Sequence, residues 1–359
     1  MARALYLAAR ACGQTAPNPM VGAVLVKNGR IVAEGYHRKA GTDHAEVVAL
    51  KKAGARAAGC TAYVSLEPCC HTGCTGPCTE ALIEAGVKRV VYAVNDPNPI
   101  VGGKGGRRLR RAGLEVRSGV MKAEAEELNE AYFGFYRLGR PFVTLKMAQT
   151  LDGRIATLTG QSQWISGSDT LKLAHQLRND NDGILVGAGT LRHDDPSLTT
   201  RLVTGRHPYR IVLAGSGRLP SDSKLFKNNS DARTVVASTA EQVERLARRH
   251  GLRGLTFWEI RKDRQGRPQI ADLLKKAGDF GIHTLLVEGG AQVATAFLQA
   301  RLVDKIILVV APMLIGHGRD TVGELGIRRL ERAIRLDRVS VHRVGKDAVV
   351  IGYPKYREK

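Results

Sequence analysis

The segment SLEPCCHTGCTGPC (65–78) concentrates residues that could bind a metal, because it holds four of the six cysteines of the chain and one histidine. A catalytic zinc ion commonly takes three protein ligands and leaves one position open for water. A cysteine-rich loop cannot by itself show which residues those ligands are. A further clue lies upstream, where HAE (44–46) opens a segment with helical spacing.

His44 and Glu46 lie two positions apart and therefore in the first turn of that predicted helix. In zinc nucleobase deaminases an H-x-E sequence supplies one zinc ligand and a proton-transferring glutamate, and two cysteines after a proline complete the ligand set. Pro68 precedes Cys69 here. We therefore assign His44 and Cys69 to a zinc ion and proton transfer to Glu46.

The second cysteine ligand is less obvious, because the compact P-C-x-x-C spacing would need a cysteine where Thr72 stands. Cys78 is the better candidate, since it immediately precedes TEALIEAG, a predicted helix. Partial positive charge and free N–H groups at a helix N-terminus lower the pKa of a thiol. We assign Cys78 as the third ligand and leave Cys70 and Cys74 as loop residues.

The main alternative at this point is a structural zinc site made of Cys69, Cys70, Cys74 and Cys78. Four ligands would close the site, and adjacent cysteines suit tetrahedral geometry poorly. A catalytic zinc would lower the pKa of its bound water, and Glu46 would relay the proton. The expected reaction is hydrolytic deamination of an aminopyrimidine or a related ring.

The elements that must hold these residues divide into two series. The chain of 359 residues is long enough for two domains, and its 43% hydrophobic content is globular. Gly139 and Pro141, in YRLGRPFVTL, lie where one series of strands and helices stops and another begins. We predict domains 1–139 and 140–359, both of the α/β class.

In the first domain, residues 2–11 suit a helix, and KNG between VGAVLV and RIVAEGYH predicts a hairpin that turns at Asn28 and Gly29. A helix over 44–54, a strand in TAYVSLEP, a helix in CTEALIEAGV and a strand in RVVYAVNDPNP follow. In the second domain we predict helices near 168–178 and 240–250, a helix in AQVATAFLQA, and a surface loop at 217–232. Its strands are predicted in FVTLKMA, GILVGAGT, YRIVLAG, RTVVAST, TLLVEGG and KIILVVAP.

The second series lacks the G-x-G-x-x-G fingerprint of dinucleotide folds, since GAGTLR (187–192) fails at its last glycine position. LLVEGGAQVATAFL offers another phosphate site, with a strand ending at Glu288, two glycines and a helix N-terminus. A tight turn without any anion explains this pattern equally well.

Composition limits the location and partners. Six cysteines and the absence of a long apolar leader favour the cytoplasm, and no apolar run is long enough to span a membrane. The net charge of +21 could attract nucleic acid or a phosphorylated small molecule. Arginine clusters lack interleaved aromatic residues, so we expect a phosphorylated substrate and do not expect nucleic acid as a partner.

Several longer motifs then resemble a known family. APNPMVGAVLV, AEGYHRKAGTDHAEVVAL, TAYVSLEPCCHTGCTGPC, VVYAVNDPNP, LKMAQTLDGRIA, SQWIS and LLVEGG occur in this order across nearly the whole chain. Together they resemble the bifunctional deaminase and reductase of bacterial riboflavin biosynthesis. The resemblance implies an N-terminal three-layer cytidine-deaminase-like domain and a C-terminal dihydrofolate-reductase-like domain.

The resemblance also implies two reactions. The first is zinc-dependent deamination of 2,5-diamino-6-ribosylamino-4(3H)-pyrimidinone 5′-phosphate. The second is NADPH-dependent reduction of the ribosyl chain of the product to ribityl. A homo-oligomer is expected.

The site residues of the family fall on His44, Cys69, Cys78 and Glu46, in agreement with the spacing argument, and on Asn18 near the substrate ring. The implied NADPH residues are Ala148, Trp164, Thr190, Asp194 and Gly290. The implied substrate residues of the reductase are Ser162, Arg178, Leu198, Arg201 and Glu288. Without the resemblance, Trp164 could equally be a core residue and Arg178 a solvated one.

One position departs from the family pattern. Cys74 stands where a lysine or arginine, read as a phosphate contact, is usual, and Gly76 stands where a proline is usual. Position 74 therefore lacks the charged side chain that the family uses for this phosphate contact. Competing interpretations are a nucleic-acid base deaminase with a basic domain, or a nonenzymatic zinc module that binds nucleic acid. The long cysteine spacing and the LDGR to SQW block count against the base deaminase.

Overall fold

The computed structural model describes residues 1–72, 76–215, 219–249, 252 and 254–356. The chain divides into two compact units, Met1–Gly139 and Arg140–Lys359. Gly139 ends the last helix of the first unit with a φ of 64°, a left-handed conformation that glycine adopts without steric cost.

The first unit is a five-stranded sheet with helices on both faces. Its described helices are α1 (Ala2–Ala9), α2 (Ala45–Ala53), α3 (Cys78–Glu84), α4 (Lys104–Arg111), α5 (Lys122–Leu128) and α6 (Glu130–Leu138). Its described strands are β1 (Gly22–Lys27), β2 (Arg30–Tyr36), β3 (Thr61–Val64), β4 (Arg89–Tyr92) and β5 (Glu115–Ser118). The strand order is β2-β1-β3-β4-β5.

The hairpin predicted at Asn28 and Gly29 is confirmed. Lys27 pairs with Arg30, and the two residues between them have φ values of 51° and 73°. Two successive positive φ angles produce the tight turn that matches the twist of antiparallel strands.

The core of the first unit lies on both faces of this sheet. On one face Leu25 and Val64 pack with Ala49 of α2 and Leu82 of α3. The opposite face is covered by α1, α5 and α6, as in the cluster of Leu5, Val94 and Phe133. The unit is therefore three-layered, as predicted, and α2 and α3 lie on the same side of the sheet.

The second unit is built on a larger, mostly parallel sheet. Its described helices are α7 (Ser168–Asp180), α8 (Ala188–Asp194), α9 (Lys224–Lys227), α10 (Ala240–Ala247), α11 (Ile270–Asp279) and α12 (Ala291–Gln299). Its described strands are β6 (Phe142–Thr150), β7 (Arg154–Thr157), β8 (Gly183–Gly187), β9 (Tyr209–Leu213), β10 (Thr234–Ser238), β11 (Thr256–Glu259), β12 (Thr284–Val287), β13 (Lys305–Ala311), β14 (Gly318–Asp320), β15 (Arg335–Val344) and β16 (Asp347–Lys355).

The strand order is β11-β10-β9-β8-β12-β6-β13-β16-β15, with β7 and β14 forming a separate pair. The strands from β11 to β13 are parallel, and β16 and β15 add antiparallel pairings at one edge. Leu185 and Ile211 face one apolar cluster, whereas their neighbours Ile184 and Val212 face another. Both faces of the parallel strands are thus buried, as is usual for such sheets.

The prediction of a surface loop at 217–232 is wrong for part of that stretch. Among its described residues, Leu219, Leu225 and Phe226 are buried, and Lys224–Lys227 form α9. These apolar side chains join the cluster around Ile184, because burying them removes apolar surface from water. The strand predicted in GILVGAGT ends at Gly187, after which α8 begins. No element was predicted from the sequence at α4 to α6, β5, β7, α8, β11, α11 or β14 to β16.

Candidate active sites

A potential metal-binding cluster lies in the first unit. One ligand atom each from His44, Cys69 and Cys78 lies within 4.8 Å of the others. Nδ1 of His44 is 3.1 Å from Sγ of Cys78 and 3.5 Å from Sγ of Cys69. The structure therefore brings together the three residues that the sequence assigned to zinc.

Each of the three residues lies at an end of a regular element. His44 is the N-cap of α2, Cys69 lies in the connection that follows β3, and Cys78 is the first residue of α3. The backbone N–H of Cys78 points at Sγ of Cys69 at 3.4 Å. This helix terminus thus stabilises negative charge on the Cys69 sulfur.

The protonation states of the two thiols differ. The hydrogen bond from the Cys78 thiol and the nearby His44 lower the pKa of Cys69 to about 4. The contact with Cys69, together with burial, raises the pKa of Cys78. Cys69 is therefore a thiolate at neutral pH, and a bound cation would displace the proton of Cys78.

This donor set fits zinc. Two sulfurs and one imidazole nitrogen are ligands that zinc prefers, and three protein ligands leave a position for water. Cys70 lies outside the cluster, so the described residues do not form the alternative site with adjacent cysteines. Cys74, which the alternative site would also need, lies outside the described residues.

Glu46 lies beside the metal cluster, in the first turn of α2. Its side chain is buried, with the residue only 3% exposed. Burial, reinforced by the charge of Cys69, raises the pKa of Glu46 to about 7. A carboxyl group with a pKa near neutrality can both accept and return a proton at physiological pH.

Asn18 belongs to a hydrogen-bonded pair that the sequence analysis did not identify. Its Nδ2 lies 3.1 Å from Nε2 of His37, and Nδ1 of His37 lies 3.1 Å from the carbonyl oxygen of Asp43. Since an amide nitrogen can only donate, Nε2 accepts and Nδ1 carries the proton. Burial lowers the pKa of His37, so the ring stays neutral and orients the Asn18 amide.

Glu67 fixes the backbone on which Cys69 lies, and sequence reasoning missed this role as well. The buried carboxylate accepts N–H groups from Gly103 at 2.8 Å and Gly106 at 2.9 Å. A Cβ atom on Gly105 would lie 2.0 Å from the carbonyl oxygen of Pro68. The start of α4 therefore packs directly against the residue before Cys69, which requires a glycine at 105.

The second unit contains a buried ion pair between two predicted substrate residues. Nε and Nη2 of Arg178, on α7, donate to the carboxylate of Glu288 at 3.0 and 2.7 Å. Both side chains are about one tenth exposed. Arg178 is therefore a buried, paired residue and not part of a solvated helix face.

Lys146, on β6, is a third charged residue at this place, and the sequence analysis did not name it. Although burial opposes ionisation, the charges of Arg178 and Lys146 lower the pKa of Glu288. Burial lowers the pKa of Lys146. A guanidinium, a lysine side chain and a carboxylate thus lie together beyond the carboxyl end of β12, where parallel α/β sheets commonly bind ligands.

Two of the predicted NADPH residues, Thr190 and Gly290, lie just after the ends of neighbouring strands. β8 and β12 are adjacent and parallel, and each is followed by a helix whose N-cap is a glycine, Gly187 for α8 and Gly290 for α12. A Cβ atom on Gly290 would lie 3.7 Å from Oγ1 of Thr190. Two helix N-termini that lack side-chain caps leave N–H groups for a dinucleotide phosphate, so these residues fit NADPH.

The remaining predicted residues occupy more varied positions. Oγ of Ser162 donates to Asp194 at 3.2 Å, which links a predicted substrate residue to a predicted NADPH residue. Trp164 is 68% exposed and is therefore not a core residue. Leu198 is 1% exposed, so only its backbone could contact a ligand. Ala148 packs at the edge of an apolar cluster, and Arg201 is exposed.

Comparison with known proteins gives the relationship of the whole chain. The family model described as the RibD C-terminal domain matches residues 141–350. The model of the cytidine and deoxycytidylate deaminase zinc-binding region matches residues 1–94. The riboflavin biosynthesis protein RibD of Aquifex aeolicus is 44% identical over 353 residues, covering 98% of this chain and 96% of that protein. The chain belongs to the RibD family.

Other RibD proteins support the same relationship. The Escherichia coli protein is 40% identical, with 97% of this chain and 96% of that protein covered. The structure of RibD from Acinetobacter baumannii has a TM-score of 0.86 at 35% identity and covers 99% of this chain and 97% of that one. A Thermotoga maritima structure titled as a diaminohydroxyphosphoribosylaminopyrimidine deaminase and 5-amino-6-(5-phosphoribosylamino)uracil reductase has a TM-score of 0.87 at 36% identity, with coverages of 99% and 97%.

As a RibD-family member, the chain is a bifunctional riboflavin biosynthesis enzyme that combines a hydrolase and an oxidoreductase. The predicted fold class is confirmed, as are Zn²⁺ and NADPH as cofactors. Its substrate is a phosphorylated pyrimidine. Among the described residues, none belongs to a helix long and apolar enough to cross a membrane.

Proposed function

We propose that residues 1–139 deaminate 2,5-diamino-6-ribosylamino-4(3H)-pyrimidinone 5′-phosphate and that residues 140–359 reduce the ribosyl chain of the product. The product of both steps is 5-amino-6-ribitylamino-uracil 5′-phosphate. The observation that carries the proposal is the convergence of His44, Cys69 and Cys78 beside the buried Glu46. A three-ligand cluster next to a buried carboxyl group suits hydrolysis rather than a structural role.

In the deaminase, His44, Cys69 and Cys78 would hold the zinc ion. When bound, zinc supplies a Lewis acid that makes water reactive near neutral pH. Glu46 accepts one proton of the attacking water on its carboxylate and passes it to a ring nitrogen, and it then carries the second proton of that water to the departing amine, which leaves as ammonia. Asn18, held by the neutral His37, presents its remaining amide hydrogen and its carbonyl oxygen to the pyrimidine ring.

In the reductase, we assign Ala148, Trp164, Thr190, Asp194 and Gly290 to NADPH. NADPH supplies the hydride when it is bound. We assign Ser162, Arg178, Leu198, Arg201 and Glu288 to the substrate, in which arginines suit a phosphate group. Lys146 adds a partly buried amino group next to Glu288, so a donor and an acceptor of protons lie beside the predicted substrate residues.

The excess of basic residues is proposed to serve the phosphorylated substrate, and the cytoplasm remains the proposed location. We also propose a homo-oligomer. Val339 and Val341 are 53% and 63% exposed on the edge strand β15, and exposed apolar side chains at a sheet edge favour association. Analytical ultracentrifugation of the wild type and of Val341→Lys tests this proposal. If two subunits associate through β15, the added lysine should weaken the association and increase the fraction of monomer.

A coupled assay tests the two reactions together. The metal content of each protein is measured first, and the protein is then mixed with NADPH and the diaminopyrimidine ribosyl phosphate. NADPH oxidation is followed for the wild type, for Glu46→Ala and for Glu84→Ala, an exposed control. We expect wild type and control to oxidise NADPH, and Glu46→Ala to do so only with the deaminated intermediate. Wild type that is silent with the first substrate and active with the intermediate would overturn the substrate assigned to the deaminase.

A further inference from the structure

His175, on α7, is a buried polar residue that has no role in either of the proposed reactions. Its exposed fraction is 0%, and neither Nδ1 nor Nε2 has a hydrogen-bond partner. Buried polar groups without partners are rare in folded proteins, and each one calls for an explanation. Burying a polar ring without hydrogen bonds costs free energy, and an apolar side chain would fill the same space without that cost.

The surroundings of His175 are the predicted substrate residues of the reductase. Arg178 follows three residues later and therefore lies on the same face of α7. The charges of Arg178, Arg201 and Glu288 and the backbone of Thr199 all lie close enough to change the pKa of the His175 ring. Nη1 of Arg178 also donates a long bond of 3.4 Å to the carbonyl oxygen of Thr199.

These contacts connect α7 to the segment 198–201, which carries Arg201. Leu198 starts the segment with a φ of 53°, a left-handed conformation that a leucine keeps only where its surroundings hold it. Its side chain is buried, whereas Arg201 is exposed. An exposed arginine needs a fixed backbone if its guanidinium is to meet a ligand in one geometry.

The ring is neutral at physiological pH. Burial and the charges of Arg178 and Arg201 lower the pKa of His175 to about 4, against the opposing effects of Glu288 and the Thr199 carbonyl. A neutral imidazole has one N–H donor and one acceptor. It can therefore donate to a backbone carbonyl without adding a third positive charge next to the two arginines.

We propose that His175 is a positioning residue that braces the segment 198–201 against α7, so that Arg178 and Arg201 face the phosphate group of one substrate. The inference rests on the proposed function of the reductase site. Because the ring is fully buried, it acts through Thr199 and Arg201 and does not touch the substrate. With the phosphate group bound, the ring N–H donates to the Thr199 carbonyl, which already lies close enough to act on the ring.

The test compares His175→Met with His175→Gln in the full-length holoenzyme. The two replacements have similar size and flexibility and differ in the terminal amide, which can still donate a hydrogen bond. His283→Met is the matched control, since His283 precedes β12 whereas Glu288 follows it. The readouts are the KM for the deaminated substrate, the inhibition constant of inorganic phosphate, the KM for NADPH and the rate of deamination.

We expect His175→Met to raise the substrate KM and the inhibition constant of phosphate about fivefold to tenfold. This is the size of effect expected when one hydrogen bond that positions a binding group is lost. His175→Gln should stay within about twofold of wild type because its amide replaces the donor. The KM for NADPH, the rate of deamination and the His283→Met control should not change.

Equal substrate KM values for His175→Met and His175→Gln would overturn the inference, as would a matching rise in the KM for NADPH, which indicates general damage. If His175→Met does not fold, a wild-type substrate KM in His175→Gln together with a raised one in His175→Ala supports the inference, and equal values refute it. Wild type that fails to reduce the deaminated substrate refutes the proposed reductase function instead, so the two failures are distinguishable.

Discussion

Replacing Glu288 by glutamine removes the negative charge from the buried cluster of the reductase while keeping its shape. Arg178 then keeps a full charge at a place where its side chain is 11% exposed. Breaking a buried ion pair by removing one partner typically costs about 3 to 5 kcal/mol. We expect the free energy of unfolding of the second unit to fall by about 3 kcal/mol, since the amide still accepts one hydrogen bond.

The loss depends on pH with a defined sign. Because Arg178 and Lys146 lower the pKa of Glu288 below its usual 4.5, the folded state holds the carboxylate more strongly than the unfolded state does. The stabilisation is therefore fully present above pH 4.5 and disappears as the pH falls through the lowered pKa. Wild type and Glu288→Gln should differ in stability at pH 7 and converge below pH 4.5.

The assay uses the two activities of one chain. NADPH oxidation with the deaminated substrate reports on the cluster, the rate of deamination reports on the folding of the first unit, and unfolding by urea gives the stability. Asp304→Asn is the matched control, because Asp304 accepts two bonds of 2.7 and 2.8 Å from Arg140. That pair is also mostly buried but lies before β6 and β13, whereas Glu288 follows β12.

Both variants should lose stability, and only Glu288→Gln should lose reductase kcat/KM, by at least about tenfold. The reasoning fails if Glu288→Gln keeps wild-type kcat/KM, if deamination falls in parallel, or if Asp304→Asn reduces kcat/KM as much. A difference in stability that stays constant from pH 7 to below pH 4.5 would refute the assigned charge of Glu288.

Other predictions concern the deaminase. Glu46→Gln should lower the kcat of deamination about 10²-fold to 10⁴-fold while reduction of the intermediate continues, because only proton transfer is lost; deamination above a tenth of wild type would contradict this role. Cys69→Ser should lose bound zinc by metal analysis and lose deamination, whereas added zinc restores chelator-treated wild type and not the variant. Asn18→Ala should raise the deaminase KM about tenfold, measured as ammonia release, since the loss of a hydrogen bond to the ring weakens substrate binding. Cys74→Lys should lower that KM by restoring the usual phosphate contact, and an unchanged KM would count against such a contact at position 74.

Local patterns in the sequence predicted much of the fold. Asn28 and Gly29 indicated the hairpin because a two-residue hairpin turn needs positive φ angles at both positions, which asparagine and glycine adopt readily. Apolar runs of β-branched residues indicated the parallel strands, since strands buried on both faces must be apolar throughout. The same patterns did not predict β15, whose exposed edge position allows polar residues at most of its positions.

What the sequence determined by itself is the set of residue types that can do chemistry: a histidine and a glutamate two positions apart, and cysteines at the ends of predicted elements. These candidate residues are defined by their spacing along the chain, so the sequence is enough to find them. Only the tertiary structure decided which groups meet. Glu67 reaches Gly106 across 39 residues, and Arg178 reaches Glu288 across 110 residues, because the packing of helices on the sheets places distant segments together. His37 and His175 became visible for the same reason, since burial and unpaired nitrogens are properties of packing that no local pattern records.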